Sequence, residues 1–138
     1  MHTYEDREVL TRGECVRLLG DAGIGRVGLS VGSLPVILPV NYVVDGARLV
    51  FRTGEGSKFD AATRNAVVCV EVDEIEPRWK SGWSVLVTGQ ALHVPEDDLS
   101  DAARGLLVPW SHTAGNHCVA VPFDLVTGRR VGPVLLGS

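Results

Sequence analysis

The chain has 138 residues, of which 45% are apolar and 22% charged, and its formal net charge is −4. That length fits one domain, residues 1 to 138, with enough apolar content for one real core, and the acidic balance argues against a nucleic-acid binder. Three cysteines, Cys15, Cys69 and Cys118, stand far apart with no CxxC spacing and read as reduced thiols. With a polar, acidic start (MHTYEDREVL) and no long apolar run, the expectation is a cytoplasmic protein that does not enter a membrane.

Residues 11 to 22 form the clearest helix. Thr11 and Glu14 have capping-box spacing, and Cys15, Leu18, Leu19 and Ala22 make one apolar stripe, with Gly23 as a helix stop. The period then changes to two: Val27, Leu29 and Val31 alternate with small or polar residues in a first strand. Gly32-Ser33 marks a turn into a second strand over residues 35 to 44, where Pro39 requires an edge or a bulge. Asp45-Gly46 is a hairpin signal leading into a third strand, residues 48 to 53. A short helix over 57 to 64, a fourth strand over 67 to 72 and a polar loop over 73 to 82 follow. The fifth strand, 83 to 94, is long and bends at Gly89. Pro95 and the acidic residues after it open a second helix to about Leu107, and a sixth strand covers 117 to 123. The order predicts an α+β fold, a six-stranded, mostly antiparallel barrel with short flanking helices.

The stretch FRTGEGSK, residues 51 to 58, carries the most chemistry. Gly54 and Gly56 permit a tight turn with exposed N–H groups, Arg52 and Lys58 supply positive charge, and Thr53 and Ser57 supply hydroxyls. This is neither a Walker A loop nor a dinucleotide fingerprint, so it reads either as an anion site or as a solvated turn, with Glu55 counting against the anion. In LPVNYVV, Pro39 interrupts the ladder and leaves the backbone of Val40 and Asn41 either open to a flat heterocycle or engaged in local turns. Trp83-Ser84, at a strand start, lines a pocket edge or packs the core; Trp110 is a third tryptophan of the same ambiguity. His112, His117 and Cys118 fit no common zinc spacing, so no metal is expected. No nucleophile–base pair is readable, and the catalytic residues are left unassigned.

The succession GRVGLSV, LPVNYVVDG, LVFRTGEGSK, GWSVLVTGQA and VTGRR resembles the pyridoxamine 5′-phosphate oxidase-like flavin-binding split barrels. Within them it is most similar to a small actinobacterial branch related to nitroimidazole-resistance flavoproteins. The resemblance covers about residues 8 to 132. It implies a split-barrel homodimer with flavin mononucleotide (FMN) at the subunit interface. Arg52, Thr53, Ser57 and Lys58 would hold the phosphate, and Pro39, Val40 and Asn41 would lie along the isoalloxazine. Trp83 and Ser84 would approach the ring, often from the partner subunit, and Trp110 would close the site. A deazaflavin is the alternative cofactor and haem a more distant one. The implied activity is oxidoreduction of a small planar acceptor such as a quinone or nitroaromatic; a non-catalytic sensor or storage module is the alternative. Vitamin B6 phosphate oxidation is not implied, because PVILPV replaces the RxxLLK-type strand of the true oxidases.

Overall fold

The computed structural model describes residues 7–54, 56, 59–61, 64–107 and 117–132. Among these, the strands are β1 (Arg7–Val9), β2 (Ile24–Val31), β3 (Leu34–Val44), β4 (Arg48–Thr53), β5 (Val67–Glu76), β6 (Ser81–Gln90), β7 (Leu92–Val94), β8 (His117–Pro122) and β9 (Leu125–Val131). Helix α1 spans Arg12–Asp21 and α2 spans Asp101–Leu106. The sheet order is β1-β9-β6-β5-β2-β3-β4-β8-β7, and every pairing is antiparallel.

Nine strands replace the six expected. The expected six are β2 to β6 and β8; β1, β7 and β9 are additional. β9 (LVTGRRV) pairs with β6 along seven residues but shows little alternation, because Gly128 and its arginines interrupt the apolar pattern. β7 follows β6 with only Ala91 between them, yet it pairs with β8 and not with β5 or β9. The bend expected at Gly89 is therefore a change of sheet partner at Ala91, whose N–H donates to the Ala66 carbonyl at 2.8 Å. The expected loop at 73 to 82 is mostly strand, since the β5–β6 ladder runs out to Glu76 opposite Ser81. The single helix expected after Pro95 is two pieces. A 3₁₀ turn at Glu96–Asp98 ends before Ser100, which caps α2 by accepting from the Ala103 N–H at 3.1 Å.

The turn signals hold. Gly32 and Ser33 both take positive φ (54° and 72°), and Gly46 does the same in the next hairpin (63°). The capping box at Thr11 and Glu14 is complete, with bonds of 2.8 and 3.2 Å.

The sheet curls around one core. Val27, Leu29, Val40, Tyr42, Leu49, Phe51, Val70, Val72, Val85, Val87, Val119 and Val121 all point inward, and Cys15, Leu18 and Leu19 of α1 plug one end. Val31 was expected to share that face but is exposed, because β2 has by then run past the barrel rim. Contacts that fix α1 include the Tyr42 hydroxyl, which donates to the Leu19 carbonyl at 2.7 Å, and Arg12, which donates to the Phe123 carbonyl at 2.7 Å, while Gly128 permits the helix to lie close to β9. A second, smaller cluster lies outside the sheet, where Val50, Val94, Cys118 and Ala120 are covered by Leu99, Ala103 and Leu107.

Candidate functional site

β3 belongs to both halves of the curled sheet, and the place where it changes partner defines the site. Over Leu34 to Asn41 it pairs with β2; over Tyr42 to Val44 it pairs with β4. The last register pair between β3 and β4 is Tyr42 opposite Phe51. Beyond it β3 continues toward Pro39 while β4 continues to Arg52 and Thr53 beside β8. The two strands part there, at the residues the sequence marked.

Backbone direction refines the reading. The Tyr42 N–H donates to the Gly23 carbonyl at 2.9 Å, toward β2. Backbone groups alternate sides along a strand, so Val40 also turns toward β2, while Pro39 and Asn41 turn toward the opening. Val40 therefore does not offer its backbone there, contrary to expectation, and its side chain is 1% exposed in the core. Pro39, with no N–H to donate, sits where no ladder calls for one, which meets the edge requirement read from the sequence. Asn41 is half-buried on the outer face and lines a cleft of about 560 Å³ with Ile24, Val43 and Leu106.

Neighbouring residues of β4 point to opposite faces. Thr53 is buried on the inner face, its hydroxyl 3.3 Å from the Gly54 carbonyl. Arg52 is on the outer face, where it forms an ion pair with Glu96 and its Nη1 lies 3.9 Å from the Cys118 sulfur. Its guanidinium braces the end of β4 against the 3₁₀ turn. The turn itself has Gly56 at φ 133°, and residues 59 to 61 are helical, with the Asp60 N–H donating to the Gly56 carbonyl at 2.8 Å. Ser57, Lys58, Trp110 and His112 lie outside the described residues.

The β6 pair splits in the same way as the β4 pair. Trp83 is 7% exposed and packs in the core, while Ser84 is half-buried on the outer face. Ser84 is three strands from β3 in the sheet order, about 14 Å at the usual strand spacing, so one chain does not bring it to Pro39 and Asn41. It lines two small outer clefts that both include Arg129.

Two features had no signal in the sequence. On the outer face, Arg26 lies 3.0 Å from Glu71 and 3.6 Å from Asp73. Partial burial, together with the hydrogen bond and charge of Asp73, pushes Glu71 up to about 7, against the pull of Arg26. At the barrel rim, the ring of Phe59 stacks on His117 (3.9 Å between centroids, 21° between planes), and His93 meets both edge-on. These three are 24 or more positions apart in sequence, which is why no local pattern revealed them.

Cys15, Cys69 and Cys118 are all unpaired. Burial pushes the thiols of Cys15 and Cys118 up, so neither is primed as a nucleophile. Among the described residues no group of three or more His, Cys, Asp or Glu is placed to hold a metal, and no helix is long and apolar enough to cross a membrane.

This fold and these motifs match known proteins. The family model described as pyridoxamine 5′-phosphate oxidase covers residues 11–130. The chain belongs to the pyridoxamine 5′-phosphate oxidase-like family. A relative of similar sequence is the uncharacterized protein Rv0080 of Mycobacterium tuberculosis, 39% identical over 132 residues, covering 91% of this chain and 87% of that protein. Among solved structures, the FAD binding protein from Mycobacterium smegmatis is 32% identical, with a TM-score of 0.67 over 90% of this chain and 97% of that one. An FAD-binding protein from Mesorhizobium loti, 22% identical, shares the fold with a TM-score of 0.73 over 91% of this chain and 97% of that one. In this family's terms the curled antiparallel sheet is the split barrel, and the parting of β3 from β4 opens it beside the FRTGEGSK turn.

Proposed function

We propose that the protein binds a flavin between the diverging ends of β3 and β4 and uses it as an oxidoreductase on a small planar acceptor. The observation that carries this reading is the parting of the two strands at Tyr42 and Phe51, directly before the glycine-rich turn. The flavin named for the M. smegmatis relative supports it. FMN is the part of the ligand these residues address: the exposed Pro39 and half-buried Asn41 border a slot for a flat ring, and the turn after Thr53 offers its backbone, with Ser57 and Lys58 in its sequence, to a 5′-phosphate.

The residues present fit such a group through the strand edge at Pro39 and Asn41 and a glycine turn whose sequence carries Lys58, not through a catalytic dyad. When bound, a flavin supplies hydride and single-electron transfer. The chain's own contribution is to hold the ring against β3, to anchor the phosphate, and to keep water off the ring's inner face with the packed core behind Val40 and Thr53. Arg52 acts here by holding Glu96 and the 3₁₀ turn against β4.

The reading includes a homodimer. An apolar outer strip carries Ile37 (72% exposed) and Val67, beside a shallow cleft of about 440 Å³. Such a strip is suited to a second copy, and a second copy would also be the source of a Ser84 close to the ring. A cytoplasmic setting goes with this reading, in keeping with three unpaired thiols.

Mass spectrometry of the ligand released from freshly purified protein tests the cofactor and separates flavin from deazaflavin and haem. A colourless protein that takes up none of these when they are added refutes the proposal. Reduction of the bound flavin by NAD(P)H, with turnover of a quinone or nitroaromatic, separates an enzyme from a storage or sensor module.

A further inference from the structure

β3 leaves one edge open where it ends. The Tyr42 N–H turns toward β2, to the Gly23 carbonyl at 2.9 Å, and backbone groups alternate sides along a strand. Val44, two residues on, therefore turns its N–H to the same side. β2 begins only at Ile24, opposite Asn41, so no strand meets Val44 there. The pairing of β3 with β4 uses the other edge, as the Asp45 N–H shows by donating to the Arg48 carbonyl at 2.9 Å. Among the described residues no group accepts from the Val44 N–H.

This open edge lines the cleft of about 560 Å³ that Asn41 also borders. Its apolar walls come from elements far apart in the chain: Ile24 starts β2, Val43 belongs to β3 and Leu106 ends α2. Ile24 and Leu106 are well exposed and belong to neither apolar core. α1 closes one end of the cleft with Gly20 and Ala22. Its last turn carries Asp21 and no basic residue, so no cation offsets the partial negative charge of its final carbonyls. None of the described lining residues is charged.

Small-molecule sites have this volume and this make-up, mostly apolar with a few convergent polar groups. The helix carbonyls disfavour an anion, and a cation would be taken from water with no described carboxylate to receive it. The unused N–H calls for an acceptor. We propose that the cleft binds a small, uncharged, apolar carbonyl compound, its oxygen accepting from the Val44 N–H and its ring lying against Ile24, Val43 and Leu106. The site is built from the chain's own groups and stands apart from the flavin reading. Asn41 borders both this cleft and the proposed ring slot, so the compound would lie next to a bound flavin.

The test is calorimetric titration of the full chain, as purified and stripped of any flavin, with coumarin as the neutral probe and coumarin-3-carboxylate as the anionic one. Coumarin should bind both forms, about 2- to 30-fold more tightly than the carboxylate, the weight of one helix terminus. Val44→Pro removes the N–H without breaking a ladder bond and should weaken coumarin by roughly 2- to 13-fold, one net hydrogen bond. A Cβ at Gly20 meets nothing within 4 Å, so Gly20→Leu can fill the cleft without a clash and should abolish coumarin binding. Melting curves establish that each variant is folded, and Gly20→Leu keeps the proposal testable if Val44→Pro is not. Unchanged coumarin binding in Gly20→Leu or in folded Val44→Pro, or coumarin held no better than its carboxylate, would overturn the site. An unmodified chain that binds no coumarin has its cleft already filled, by itself or by a second copy, and that result would overturn the site too. Coumarin binding as expected in a chain that takes up no flavin would refute the flavin reading alone.

Discussion

Glu71 gives the barrel a pH dependence opposite to that of an ordinary ion-paired carboxylate. Its side chain is partly buried on the outer face of β5, shares a hydrogen bond with Asp73, and is pushed from 4.5 up to about 7. Between those two values the folded chain holds a proton there that the unfolded chain has released. Its contribution to stability is fully present below 4.5 and is lost as pH rises through about 7. At about 1.36 kcal/mol per pH unit the interval would be worth roughly 3.4 kcal/mol. The Glu71 side chain is 37% exposed, however, and solvent screening reduces this to about 1 kcal/mol. In a chain of this size that is roughly 3–5 °C of melting temperature. Glu71→Gln keeps the shape, can donate an amide hydrogen bond to Asp73, and removes the titration. Thermal melts of the two proteins across about pH 5 to 7.5 should therefore diverge, the unmodified chain losing the extra 3–5 °C relative to the variant as pH rises. The comparison cancels groups common to both proteins, including Glu14 and Asp45, whose lowered values act at more acidic pH. Parallel profiles, or a steeper fall in the variant, would refute the shared-proton account.

Thr11→Ala should cost about 1 kcal/mol by opening the capping box of α1, with Thr11→Ser restoring most of it, as read by chemical denaturation. Gly128→Ala places a methyl group 2.6 Å from the Cys15 sulfur and 3.1 Å from the Ser84 carbonyl, which should destabilise by about 1–3 kcal/mol. Adding Cys15→Ala should recover part of that loss, and strict additivity of the two changes would count against the contact. Lys58→Ala should weaken FMN about 10- to 150-fold and riboflavin hardly at all, since one charge-assisted phosphate contact is worth about 1.5–3 kcal/mol; calorimetric titration showing equal losses would contradict the phosphate assignment.

The legible parts of the fold were those set by local chemistry. Gly32-Ser33, Asp45-Gly46 and the Thr11/Glu14 box each act within a few residues, and each is where the sequence put it. β9 escaped because its strand character comes from its neighbours: Gly128 is there to admit α1, and the ladder to β6 supplies what its own pattern lacks. The same division runs through the site. Pro39 announced the opening because its missing N–H is a property of the residue itself. The engagement of Arg52 by Glu96, forty-four positions later, is a property of the folded arrangement.

Strand parity explains why a contiguous motif is an incomplete guide to a site in a barrel of this kind. Arg52 and Thr53, Val40 and Asn41, and Trp83 and Ser84 are each adjacent in sequence, and each pair sends one side chain to the core or inner face and one to the outer face. Half of every such motif therefore builds the wall and half faces what the wall holds. Thr53, Val40 and Trp83 are buried on the inner side, where Val40 and Trp83 pack in the core. In the proposed site Asn41, Ser84 and the turn after Thr53 would meet the cofactor, and they belong to β3, β6 and the end of β4. A chain that depends on backbone edges and a glycine turn in this way needs few distinctive side chains. That is why the order and spacing of its motifs carried more information than any single residue among them.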